Sequence, residues 1–219
     1  MKLPFTIKEF FEVFRQYNVG VWPAQVFIIL LALTAAYLAA RKSAFSDKII
    51  SAILSFLWLW MGIVYHLIYF SEINKAAFVF GALFIVQSLL FIYFGVVKNK
   101  LQFQLKVNLN GITGIILISF ALLVYPMLGY WVGHKYPSSP TFGLPCPTTI
   151  FTFGILLFSS KRLSILILFI PFLWSLIGFS AAIKLGMKED FSLLFASVVS
   201  IILLTMLNRS LRHDVSFKS

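Results

Sequence analysis

Charge is what this sequence has least of. Asp, Glu, Lys and Arg make up 11% of its 219 residues and apolar residues 60%, where an ordinary soluble domain carries about 25% and about 45–50%. So few charged side chains cannot cover a 24.9 kDa soluble globule. That scarcity excludes a soluble enzyme and a conventional nucleic-acid-binding domain, despite the net charge of +11. The single cysteine forbids an intramolecular disulfide. The opening MKLPFTIKEFFEVFRQYNVG carries charges throughout, so no cleavable signal peptide is expected. HxxH, CxxC and CxxxH spacings are all missing, as are a composition shift marking a second domain and a clear internal repeat.

What is present is apolar sequence in long runs. About 20 apolar residues cross a hydrocarbon core of roughly 30 Å, and segments 21–40, 49–70, 76–97, 109–132, 163–183 and 191–207 meet or approach that length. A further run, TTIFTFGILLFS at 148–159, is too short to span alone. The expectation is an all-α integral membrane bundle of seven transmembrane helices in one domain over 1–219, the fifth helix short and preceded by a Pro-rich irregular segment. Eleven Lys and Arg against two acids place +9 on one side, and seven against five place +2 on the other. The positive-inside rule then puts the N-terminus outside and the C-terminus in the cytoplasm, in a cytoplasmic (inner) membrane. The basic excess thus reports orientation in the lipid bilayer, and no nucleic-acid partner is expected.

No run has a charge near its centre. An acidic proton relay and an arginine voltage sensor therefore lack their residues. FSLLFASVVSIILLTML, the last run, holds no lysine for a retinal Schiff base, so no retinal is expected. In the first twenty residues, Phe5, Phe10, Phe11 and Phe14 share a helical face opposite Lys8, Glu9, Glu12, Arg15 and Gln16. Two readings stay open there: a helix lying on the outer leaflet, or a lid over an outward-facing site.

The richest stretch is GHKYPSSPTFGLPCPTTIFTFG at 133–154, where Pro137, Pro140, Pro145 and Pro147 forbid a regular helix at the start. At about 1.5 Å per residue, twelve apolar residues supply about 18 Å of depth, so the Pro-rich strand must supply the rest. Irregular backbone survives at that depth only when buried in protein or lining a polar cavity, and broken helices build many transporter sites. Cys146 sits at the mouth of the half-helix, with Thr148 or Thr149 as its N-cap. His66 after Tyr65, Met127 after Pro126, His134 and Gln25 reach the same outer side. His66, Cys146, His134 and Met127 form a candidate metal or ligand set suited to Zn(II) or Cu(I), with Tyr65, Gln25, Thr148 and Thr149 behind them. Against this stand plain structural roles: interfacial histidines, a cysteine packed as a small apolar group, tryptophan anchors, a Gln87 hydrogen bond between helices, and helix kinks at Pro126 and Pro171.

WPAQ at 22–25, WLWMGIVYH at 58–66 and PTFGLPCPTTIFTFG at 140–154 resemble an uncharacterised family of prokaryotic polytopic membrane proteins. The resemblance implies the membrane class and imports no activity. The functional expectation is a transporter or channel binding a small solute or thiophilic metal ion in its outer half, with no catalytic residue assigned. A ligand-sensing or partner-binding membrane protein is the alternative, and a membrane thiol enzyme or haem protein another. Association into a homo-oligomer is compatible with so apolar a surface.

Overall fold

The computed structural model describes residues 4–216. Lys2 and Lys218, counted in the charge balance, lie outside the described residues. Eight helices follow one another: α1 (Ile7–Gly20), α2 (Ala24–Ala40), α3 (Ser46–Glu72), α4 (Ala77–Val97), α5 (Leu109–Trp131), α6 (Pro145–Leu156), α7 (Ile165–Leu185) and α8 (Phe191–Ser216). Among the described residues there is no β-strand, only two isolated bridges. The all-helical expectation is met.

The expected seven spans are not reached by length. Among the described residues five helices are long and apolar enough to cross a membrane, α3, α4, α5, α7 and the stretch Lys188–Arg212, and a sixth is gained if α1 and α2 count as one broken span. By itself α2 has 17 residues and α6 has 12. The axes of α1 and α2 differ by 85°, so α1 lies across the end of the bundle.

An amphipathic α1 needs a fixed start, and Thr6 with Glu9 provides it. Glu9 N–H donates to the Thr6 hydroxyl (3.2 Å) and Thr6 N–H donates to the Glu9 carboxylate (2.7 Å). The Thr6 backbone N–H, helped by its hydroxyl, holds the Glu9 carboxyl below its ordinary value. Phe10 and Phe14 are buried on the bundle side, edge to face with each other, and Phe10 also meets Phe70. The apolar face of α1 thus packs onto the bundle and its charged face points away.

α6 explains its own shortness. Every residue from Pro147 to Leu156 is buried, and a helix apolar all round belongs inside a bundle. It packs against α2, α5, α7 and α8. Trp58 of α3, itself fully buried, donates Nε1–H to the Thr152 hydroxyl (3.0 Å). Enclosed in this way, α6 has no need to match a bilayer's thickness. By contrast α2 exposes Phe27, Leu30, Leu33 and Tyr37, and α4 exposes Phe78, Val79, Val86 and Leu89. The bundle therefore wears its apolar side chains outward, as a helix facing lipid would. At the far end from α1, the chain at 101–105 is pinned by Gln104 N–H to Phe158 O (2.8 Å), Ser160 N–H to Gln102 O (2.9 Å) and Phe103 N–H to Asp47 Oδ1 (2.8 Å). Gln87 donates to Ile167 O (3.1 Å), linking α4 to α7 as its structural role required.

Candidate functional site

The irregular segment 132–144 is held by one buried amide. Asn18, fully buried in α1, donates to the carbonyls of Pro137 (2.6 Å) and Ser139 (2.8 Å). Its own carbonyl accepts from Gln25 Nε2 and from the Thr141 hydroxyl, both at 2.7 Å. One side chain thus satisfies two carbonyls that the irregular backbone leaves without helical partners, and two side-chain donors besides. Tyr17 adds a hydrogen bond to Gly143 O (3.2 Å) and accepts from Trp60 Nε1 (2.8 Å). Burial pushes the Tyr17 phenol up, so it stays neutral. Gly143 has φ +100°, where a side chain is strained, and a Cβ there would lie 3.2 Å from the Tyr17 hydroxyl. Replacing Asn18 with Ala strands these partners, and about 1–3 kcal/mol is the usual cost of a buried group left unsatisfied. We expect Asn18→Ala to lower the unfolding temperature and raise amide exchange selectively across 137–143. Unchanged exchange there would contradict this account of the segment.

Between α1 and the body of the bundle lies a cavity of about 170 Å³. Phe10 and Phe14 of α1 line one wall, Tyr65 and Phe70 of α3 another, and Trp174, Gly178 and Ala182 of α7 a third. Pro145 and Cys146, in the first turn of α6, reach it from below, with Tyr125 and Asp190. Tyr65 lies within a wide π-helical stretch of α3, Met61–Tyr69. Such distortions of a helix often mark functional positions. Lys184 and Ser180 line the cavity while remaining exposed, and so mark its rim.

Two neighbouring acids give the site its polarity. Asp190 accepts a short hydrogen bond from the Tyr125 hydroxyl. Glu189 pairs through Oε1 with His134 Nδ1 (2.6 Å), and its Oε2 has no partner. Both acids are buried, although they lie in the short connection directly before an apolar helix. The Cys146 thiol neighbours the Asp190 carboxyl and the Trp174 indole. Trp174 Nε1 is buried without a hydrogen-bond partner.

The expected site residues separate into groups. Cys146 and Tyr65 meet at the cavity. His66 lies just behind it, fully buried, its ring centroid 5.1 Å from Trp174 and 4.7 Å from Phe84, with neither nitrogen partnered. His134 turns to Glu189 instead of His66. Met127 is 52% exposed on the outside of α5, away from the others, because its helix presents that face outward. Gln25 serves the Asn18 network, donating also to Thr141 Oγ1 (3.1 Å). The N-cap of α6 is Leu144, a correction to the expectation of Thr148 or Thr149: Pro145 fits the first helical position, so the cap lies four or five residues earlier. Thr148 instead accepts from Gly143 N–H (3.0 Å), and the Thr149 hydroxyl is buried without a partner.

Among the described residues no three His, Cys, Asp or Glu side chains are grouped as metal ligands. The Zn(II) or Cu(I) expectation therefore finds no ligand set there. Sequence reasoning missed Asp190, Glu189, Tyr125 and Trp174. The available signal was the acid pair abutting an apolar run, together with a tyrosine before Pro126 in a span otherwise free of charge.

In comparisons with known proteins, no curated protein and no solved structure matches. One family model, described as a family of unknown function, matches residues 7–214.

Proposed function

The chain belongs to that family of unknown function (DUF6064), and with no activity to inherit from it we propose that the protein is a multi-pass membrane transporter with a small-solute site in its outer half. The observation that carries this reading is the cavity at the mouth of α6. A short, enclosed helix entered by irregular backbone brings Cys146 beside two buried acids, inside a bundle whose outer faces are apolar. Broken helices with polar groups at their ends are how many transporters hold a solute at depth. Ionisable residues in apolar spans mark solute pathways by default. The charge balance of +9 against +2 supports a cytoplasmic C-terminus, and with it an external α1 and cavity.

The purified protein in proteoliposomes tests the reading with a panel of radiolabelled small amines, amino acids, sugars and monocarboxylates. Uptake above that of empty liposomes is expected for at least one class, and reaction of Cys146 with a bulky maleimide should abolish it. Stabilisation of the protein by a panel member without uptake of any would replace transport with ligand sensing.

A further inference from the structure

We propose that the cavity recognises a small organic ammonium ion, an inference that rests on reading the cavity as a solute site and names the class of solute. Asp190 is 6% exposed and lines the cavity. A buried carboxylate is costly unless it is paired. It accepts the Tyr125 hydroxyl, yet among the described residues no Lys or Arg nitrogen lies within 4.0 Å of it. The next residue, Glu189, is buried too, with only His134 beside it. The floor therefore offers a buried acid that no Lys or Arg among the described residues pairs.

Above that floor the walls are aromatic. Tyr65, Phe70, Phe80 and Trp174 border the space, and aromatic faces attract cations through the ring quadrupole, most strongly once desolvated. Trp174 lines the cavity and is 8% exposed, and among the described residues its Nε1–H, beside the Cys146 thiol, has no hydrogen-bond partner. An acceptor oxygen on the solute would satisfy it.

The same facts argue against other occupants. Hard cations such as Mg(II) or Ca(II) require six or more oxygens, and this lining is chiefly aromatic and aliphatic. An anion would meet Asp190. A wholly apolar molecule would leave the carboxyl and the indole N–H stranded. Lys184 is the other charged group of the lining, and it is exposed at the rim, where its ammonium remains in water. Size agrees as well: an apolar cavity of about 150 Å³ holds benzene, so about 170 Å³ admits a solute of comparable bulk such as choline.

Calorimetric titration of the full-length purified protein with choline and with its neutral carbon isostere, 3,3-dimethylbutan-1-ol, tests this. Choline should bind at least tenfold tighter. Asp190→Asn should erase that preference while leaving the isostere's affinity in place. Should that variant not fold, Phe80→Leu, which keeps the carboxyl and removes one aromatic face, should weaken choline several-fold more than the isostere. Equal affinities for the two in the wild-type protein would overturn the ammonium assignment and leave the cavity reading standing. If neither binds, the ammonium assignment falls, while the solute reading falls only if the uptake panel fails as well.

Discussion

Gly154→Val should destabilise the protein by about 3 kcal/mol or more, the upper range for overpacking a core, and reduce folded yield correspondingly. Gly154 of α6 and Gly114 of α5 face each other at a helix crossing. A Cβ built on Gly154 would stand 3.0 Å from Gly114 O and 2.8 Å from Ile118 Cγ1. One built on Gly114 would stand 2.7 Å from Gly154 O. Backbone oxygens cannot rotate away, so relief requires the two helices to part. Because lipid is as apolar as the helices themselves, close packing at small residues is what holds such pairs together. Separation here would also loosen the wall that encloses α6. Gly129→Ala is the control: the nearest atom to its Cβ would be 3.6 Å away, on a Glu189 side chain, and little change is expected. Thermal unfolding in detergent reads both variants. A midpoint for Gly154→Val within about 1 °C of the wild type would contradict the close crossing; for a chain of this size that shift corresponds to well under 1 kcal/mol.

Much of this architecture is legible in the chain because apolar runs are local signals. The runs at 49–70, 76–97 and 109–132 coincide with α3, α4 and α5 to within a few residues. The shortage of length at α6 is also visible in sequence and draws attention to Cys146, which lines the cavity together with Tyr65. What sequence cannot show is which neighbour a polar side chain chooses. His66 and His134 are 68 positions apart, and nothing local reveals that one packs among aromatic rings while the other takes Glu189. Asp190 and Glu189 read as loop charges because hydropathy averages over a window. Their burial depends on α5 and the segment after it folding back over them, through Tyr125 and His134. Asn18 was unremarkable as well, since its four partners come from α2 and the Pro-rich strand. Apolar runs located elements; the site arises from contacts between elements distant in sequence.

Cys146 offers a direct test of the proposed outward-opening cavity. It is the chain's one cysteine, it lines the cavity and it is only partly buried, so a thiol reagent reports on this position without background. The reagent 2-(trimethylammonium)ethyl methanethiosulfonate is small, permanently charged and unable to cross a bilayer. Applied to sealed right-side-out vesicles, it should modify Cys146 essentially to completion, and Cys146→Ser should abolish the signal. Inside-out vesicles should show almost none, because α6 and the helices around it close the other end. Modification confined to inside-out vesicles, or absent from both while the denatured protein reacts, would contradict the outward-opening cavity.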